Sequence, residues 1–261
     1  MLFRVFKYVK LGAHSRSDRS TGEMIPITSW KTYPKARPNK GPQQQGWWDI
    51  DTGGVDSDFS ILVLAWRVTF TKYIQAVCLP SAELPNSSYR EKRVWVSGWG
   101  YTFVGLDRYL KAEYGRMSDT PKKVVQVVKD ESSCRAHYRI NCEFCGRSTM
   151  LCAYGEHQYN STVNTDSCQG DSGGKRIFIL FSYCLICEYF CLGLSNIDND
   201  YLFLCFINHN KGPLVQYVSG RAVLIGVVSF GYGCGKIRAP GIYAKVDNVL
   251  PWIEKMKRTY N

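Results

Sequence analysis

Apolar and polar residues alternate weakly over residues 9 to 30, and this period-two pattern predicts β-strands. Residues 34 to 57 are rich in Pro, Gly, Gln and Asp, which is typical of a long surface loop. The apolar run Phe59–Leu64 follows, directly after Asp58. An acid beside a buried strand is costly unless it is paired, so we expect a partner for Asp58.

The period changes near the C-terminus. Four apolar residues follow the i, i+3, i+4, i+7 spacing of one helix face: Val249, Trp252, Ile253 and Met256. Asp247 can cap this helix, and Pro251 is tolerated in a first turn. We therefore predict a C-terminal helix whose apolar stripe is core packing.

A second apolar run extends from Ile177 to Leu194 and is interrupted by Glu188. As a membrane span it is borderline in length and carries a charge near its middle. We predict no membrane partner, and a membrane anchor through residues 177 to 194 is kept as an alternative.

The chain of 261 residues can bury a full core, as one large all-β domain or two small ones. Its 11 cysteines, with glycosylation sequons at Asn86 and Asn160, favour an oxidising, secreted setting. The first residues contain no apolar run of signal-peptide length, so we expect that an upstream segment is missing.

The net charge is +11, and residues 1 to 40 hold nine Lys and Arg against two acids, which supplies +7 of it. This excess is interpreted as a solvated basic face or as a patch that binds a polyanion. Aromatic and basic residues are not interleaved, and we predict no nucleic-acid partner.

Residues 166 to 174 read Asp-Ser-Cys-Gln-Gly-Asp-Ser-Gly-Gly. Gly and Asp are depleted from helices and strands, so this composition predicts a tight loop. Such a loop can aim backbone N–H groups at one point and form an oxyanion hole around a nucleophile, Ser172. A plain surface turn is the alternative.

This loop resembles the nucleophile loop of the trypsin-like serine proteases of the chymotrypsin fold. Further stretches resemble family landmarks in the family's order: Phe70–Pro80, Ser97–Gly100, Gly226–Gly231 and Pro240–Tyr243. The resemblance covers roughly residues 9 to 174 and 212 to 258. It implies an all-β fold of two six-stranded antiparallel β-barrels, the first incomplete, and a C-terminal α-helix.

The resemblance also implies catalytic roles. Ser172 attacks the scissile carbonyl, Asp58 orients a catalytic histidine, and the N–H groups of Gly170 and Ser172 hold the oxyanion. The family places that histidine upstream of Asp58 in an Ala-Ala-His-Cys type of motif. The four histidines of this chain match no such motif: His14, His137, His157 and His209. We expect the chain as written to be inactive for want of a general base, and strand edges of the first barrel to stay open.

A specificity pocket is implied in the same way. Asp166 lies at its base, and Gly231 and Gly241 line its walls, which selects substrates with Lys or Arg before the cleaved bond. Ser229 binds the substrate backbone, and Phe230 replaces the family's usual Trp. Protein inhibitors are further candidate partners, and no cofactor or metal is expected.

The resemblance pairs Cys134 with Cys152 and Cys168 with Cys234. The second disulfide would tie the nucleophile loop to the pocket wall, which stabilises by about 2–4 kcal/mol. A zinc site is an alternative for one cluster of four cysteines: Cys134, Cys142, Cys145 and Cys152. A local disulfide or free thiols are preferred for the Cys142–Cys145 pair.

Three further positions concern disulfides of the family. Cys78 corresponds to a cysteine that bonds to a preceding segment in multi-domain relatives. Val94 and Gln216 stand where many relatives carry a disulfide, and both halves are absent together.

The family runs from the glycines after the nucleophile straight into Pro-Leu-Val, but here residues 175 to 211 intervene before Gly212. We interpret this segment as a translated intron, because Gly174-Lys175 can be encoded by GGT-AAG, which contains a splice-donor sequence. Sequencing the transcript tests this. Four cysteines would then carry no function: Cys184, Cys187, Cys191 and Cys205.

We therefore predict one trypsin-like peptidase domain over residues 1 to 261. Its expected parts are a partial first barrel (1 to 80), a second barrel (81 to 174 and 212 to 246), an anomalous insertion (175 to 211) and a closing helix (247 to 258). The predicted function is a secreted serine endopeptidase. The alternative is a non-catalytic homologue that acts as a binding module.

Overall fold

The structure is a computed structural model, and it describes residues 8–34, 37–38, 55–56, 59–80, 89–106, 112–130, 149–155, 169–170, 172–173, 202–204, 212–231 and 240–260. The strands within these residues are β1 Tyr8–Leu11, β2 Glu23–Thr32, β3 Arg37–Pro38, β4 Val55–Asp56, β5 Ser60–Leu64, β6 Arg93–Gly98, β7 Tyr101–Leu106, β8 Ala112–Met117, β9 Lys122–Lys129, β10 Met150–Gly155, β11 Gln169–Gly170, β12 Ser172–Gly173, β13 Leu202–Leu204, β14 Pro213–Val218, β15 Arg221–Gly231 and β16 Gly241–Lys245.

Six strands close into an antiparallel barrel in the order β10-β16-β15-β14-β6-β9. Their sequences alternate as closed sheets require: in β6, Val94 and Val96 point into the core while Arg93 is exposed. Apolar side chains from all six strands fill the interior of the barrel, among them Leu151, Leu214 and Ile225. The predicted second barrel is confirmed.

Within the described residues, the first sheet has the order β1-β2-β5-β13 and does not close into a barrel. Strands β1 and β2 overlap the predicted residues 9 to 30 but begin at Tyr8 and end at Thr32, and β5 falls within the predicted run after Asp58. All five residues of β5 are buried, as expected for a strand covered on both faces. The prediction of an incomplete first barrel is confirmed.

Strand β5 lies inside this sheet. The edge of β5 is not left open, because β13, from the segment 175 to 211, pairs with it antiparallel. Leu202 lies opposite Val63 and Leu204 lies opposite Ile61. The first sheet is thus extended by a strand that is distant in sequence.

The chain ends in a 3₁₀ turn, Val246–Val249, followed by the helix α1, Leu250–Tyr260. Val249 and Ile253 are buried in a cluster that also contains Phe59 and Ile61 of the first sheet and Leu224 of the barrel. Trp252 and Met256 pack against this cluster, so the predicted apolar stripe is confirmed as core packing.

The predicted capping role of Asp247 is wrong. The residue before the turn is Lys245, and no side chain caps it. Instead, the Tyr89 hydroxyl donates to Asp247 Oδ1 at 3.0 Å, and Lys245 Nζ lies 3.3 Å from Asp247 Oδ2. Burial of the Tyr89 ring, together with the negative charge of Asp247, raises the pKa of Tyr89. The contact fastens the helical end of the chain to the barrel.

A polar clasp joins the loop after β1 to the loop before β9. Asp119 accepts hydrogen bonds from the Ser15 hydroxyl at 2.6 Å and from the Ser17 amide at 2.8 Å, and its carbonyl accepts from the Arg16 amide at 2.8 Å. Hydrogen bonds from Ser15 and Ser17 hold the pKa of Asp119 at about 2, below its usual 3.8. These contacts fix the first sheet against the barrel.

The loop after β1 is also held by the side chain of Lys10, which is buried, with 3% of its surface exposed. Its ammonium group donates to the carbonyl oxygens of Ser15, at 3.0 Å, and of Asp18. A buried charge requires such hydrogen bonds, so the lysine and the loop order each other.

In the part of the chain that the structure describes, no helix is both long enough and apolar enough to cross a membrane.

Candidate active site

The predicted nucleophile loop is described through the backbone of β11 and β12. Gln169 lies opposite Ser172, and Gly170 lies opposite Gly173, so two segments only three residues apart run side by side. Such close pairing requires a tight loop, in line with the composition of the stretch. The assigned roles of Ser172 and of the Gly170 and Ser172 amides stay predictions.

Several predicted site residues lie outside the described residues: Asp58, Asp166, Cys134, Cys168 and Cys234. The strand that follows Asp58 is well defined, since Phe59 is buried and Ser60 begins β5. Ser60 is the one polar residue of this strand. Its buried hydroxyl donates to the Thr32 hydroxyl at 3.2 Å on the neighbouring strand, which explains why a polar residue is tolerated there.

The two glycines predicted to line the specificity pocket lie directly opposite each other. Gly231 ends β15, Gly241 begins β16, and the strand register pairs them. A Cβ atom on Gly241 would lie 3.0 Å from ring atoms of Tyr243, which is closer than such atoms normally approach. A side chain here would require Tyr243 to shift by a few tenths of an ångström.

Ser229 lies at an irregularity in the same pair of strands. Val228 is opposite Tyr243 and Phe230 is opposite Ile242, so Ser229 is the extra residue of a β-bulge. Bulges are common beside active sites, where they redirect a side chain. The Ser229 hydroxyl is buried and has no hydrogen-bond partner in the part of the chain that the structure describes.

Sequence reasoning missed the support behind this wall. The Tyr243 hydroxyl donates to Gln126 Oε1 at 2.5 Å, and both side chains are fully buried inside the barrel. The signal was available: Gln126 is a polar residue at an inward position of the apolar strand Val124–Val128. A buried amide in such a strand requires a hydrogen-bonding partner.

Two of the predicted cysteines are described. Cys152, in β10, is disulfide-bonded and almost fully buried. Cys78 is also disulfide-bonded, and its backbone pairs with Ala222 and Leu224 of β15. The predicted partner of Cys152, Cys134, lies outside the described residues, and so do Cys142 and Cys145 of the alternative zinc site.

Among the described residues, His14 is the one histidine, and it is exposed just after β1. No group of three or more potential metal ligands occurs within the described ranges. The geometry therefore consists of a tight serine loop, a pair of facing glycines and a buried serine hydroxyl.

A closed six-stranded antiparallel barrel, a second β-sheet packed on it and one C-terminal helix define a protein of the chymotrypsin fold. The profile of one protein family, described as Trypsin, matches residues 8–175 and 212–253. The chain therefore belongs to the trypsin family. The two matched parts are separated by residues 176 to 211.

Characterised proteins agree with this assignment. The chain is 28% identical over 211 residues to phenoloxidase-activating factor 2 of Galleria mellonella, covering 79% of this chain and 52% of that protein. It is 29% identical over 199 residues to transmembrane protease serine 9 of Rattus norvegicus, covering 76% of this chain and 13% of that protein. It is 29% identical over 183 residues to coagulation factor XII of Cavia porcellus, covering 70% of this chain and 22% of that protein. The chain thus spans about half the length of the first relative and less of the other two.

Proposed function

We propose that this chain carries the peptidase domain of a serine endopeptidase that cleaves peptide bonds after Lys or Arg. One arrangement of residues in this trypsin-family chain supports the proposal. A bulged strand presents the buried, unpaired hydroxyl of Ser229 next to the facing pair Gly231 and Gly241. The unpaired buried hydroxyl supplies a hydrogen-bonding group for a substrate beside the two strands, and the paired glycines add no side chain there.

In this proposal Ser172 Oγ bonds to the scissile carbonyl carbon while a histidine base takes its proton. The carbonyl oxygen becomes an oxyanion held by the Gly170 and Ser172 amides, and the leaving amine receives the proton. Water then hydrolyses the acyl-enzyme. Asp58 orients the base, and Asp166 pairs with the charged side chain of the substrate.

The base has to come from a histidine that this chain does not hold in an Ala-Ala-His-Cys motif. A second candidate function follows from that observation: a non-catalytic trypsin-family homologue that binds proteins. The presence of Asp58, Asp166 and Ser172 together favours the enzyme, because a binding module needs none of the three in these roles.

The deciding experiment compares the 261-residue chain with a product extended by the coding sequence upstream of it. Each is treated with a fluorophosphonate probe, and a Ser172→Ala variant serves as the matched control. The enzyme proposal predicts strong labelling of the extended product at Ser172 and labelling thousands of times slower in the shorter chain, about the loss expected without the base. A folded extended product that stays unlabelled would establish the binding module instead.

Specificity has a separate test. In the extended product, Asp166→Ser should lower kcat/KM for Lys and Arg substrates by about 10²–10³-fold, because the buried charge of the substrate loses its partner. Substrates with an apolar residue at the same position should be affected far less. Equal losses on both substrate types would contradict the role of Asp166.

The setting and partners belong to the same proposal. A secreted protein fits the two described disulfide-bonded cysteines, Cys78 and Cys152. Protein inhibitors that mimic the substrate, and a polyanion on the basic residues 1 to 40, are proposed as further partners.

A further inference from the structure

Strand β5 has none of the features that protect the edge of a sheet. Its sequence, Ser-Ile-Leu-Val-Leu, contains no charge, proline or glycine, and all five residues are buried. Natural edge strands are usually interrupted by such residues or by bulges, because a flat apolar edge pairs with other chains. The composition of β5 is that of an interior strand, which needs a neighbour on both sides.

One neighbour is β2, which pairs with β5 from Ile27 to Thr32. The other is β13, where Phe203 lies opposite Leu62. Strand β13 belongs to residues 176 to 211, the interval between the two parts of the family match. Its Leu-Phe-Leu sequence has high β-propensity and is uncharged, so it suits a place beside an apolar strand.

We propose that Leu202–Leu204 is a closing strand: the chain supplies, from its own inserted segment, the strand that covers the apolar edge of its first sheet. The segment is then a working part of the fold. This differs from the translated-intron interpretation, under which residues 175 to 211 have no place in the folded protein. The proposal does not depend on catalytic activity.

The first test removes the pairing within the full chain. Successive N–H groups of a strand point to opposite edges, so prolines at both 202 and 203 remove at least one donor directed at β5. We expect L202P/F203P to form dimers or larger species in size-exclusion chromatography with light scattering. Backbone amides of Ile61, Leu62 and Val63 should exchange with deuterium about tenfold faster or more. The matched control L202V/F203V keeps β-propensity and should behave as the unmodified chain does.

The second test deletes residues 175 to 211 and adds a synthetic peptide of residues 198 to 208, with serine at position 205. The deletion variant should self-associate, and the peptide should restore the monomer by adding a strand to β5. A scrambled peptide of the same composition is the control. A proline variant that remains monomeric with unchanged β5 exchange would overturn the proposal, and so would a deletion variant that is monomeric and equally stable without peptide.

Discussion

The buried hydrogen bond between Tyr243 and Gln126 allows the sharpest test of how the barrel is held together. Tyr243→Phe removes one hydroxyl and leaves the ring, which is fully buried, in place. The acceptor, Gln126 Oε1 at 2.5 Å, loses this donor in a site with no exposure to solvent. Depriving a buried acceptor of its partner costs about 1–3 kcal/mol. For a chain of this size that lowers Tm by about 2–12 °C.

The assay is thermal unfolding followed by circular dichroism, with Tyr73→Phe as the control because Tyr73 is 58% exposed. Gln126→Met and the double variant complete a thermodynamic cycle. Because the double variant leaves neither polar group of this pair behind, it should be less destabilised than the sum of the single variants. A Tm for Tyr243→Phe within 1 °C of that of the control, or strictly additive losses, would refute the reasoning (about 1 °C is the scale of a neutral surface change).

Three further outcomes are expected. Because the pKa of Asp119 is lowered to about 2 from 3.8, the clasp stabilises the fold above pH about 4, and this stabilisation is lost as the pH falls towards 2. The Tm difference between the unmodified chain and Asp119→Asn should therefore shrink over that pH interval. A constant Tm difference would contradict this prediction. Continuing the β14–β6 register by one residue places Gln216 opposite Val94; V94C/Q216C should form a disulfide, detected by peptide mapping, that raises stability by at most about 4–5 kcal/mol, whereas free thiols would disprove the register. Ile253→Ala should destabilise by about 2–5 kcal/mol in denaturant unfolding, with exposed Lys255→Ala as the control, since Ile253 is 1% exposed; equal stabilities would contradict the packing of α1.

Local periodicity was enough to predict the elements whose faces are set by burial. Helix α1 has one buried and one exposed face, so its sequence carries a period of about 3.6. Strand β2 alternates less regularly, since Ile25 is buried whereas the apolar Met24 and Trp30 are exposed. Strand β5 was predicted from an unbroken apolar run, which strands buried on both faces have. The facing pair Gly231 and Gly241 followed from family resemblance, and the strand register brings the two residues together.

What sequence reasoning could not supply depends on partners that are distant in the chain. Asp247 is a residue type that often caps helices, but here its carboxylate accepts a hydrogen bond from the hydroxyl of Tyr89, which is 158 positions away in the chain. The pairing of β13 with β5 joins residues about 140 positions apart, and nothing local in either segment specifies it. The bulge at Ser229 also could not be predicted from the local sequence, because it arises from the register between two strands.

The candidate site combines residues from two parts of the fold, a closed barrel and a sheet that does not close within the described residues. Ser229, Gly231 and Gly241 belong to the closed barrel, where every strand has two neighbours and Tyr243 supports the wall from behind. Asp58 instead precedes β5 by two residues, and β5 belongs to the open sheet. The position of that carboxylate therefore depends on how firmly β5 is held, through β2 on one side and Leu202–Leu204 on the other. Under the proposed function, the wall formed by Ser229, Gly231 and Gly241 can thus remain intact in a molecule in which Asp58 is displaced. Loss of the closing strand should reduce labelling at Ser172 in the extended product before it reduces the Tm of the barrel.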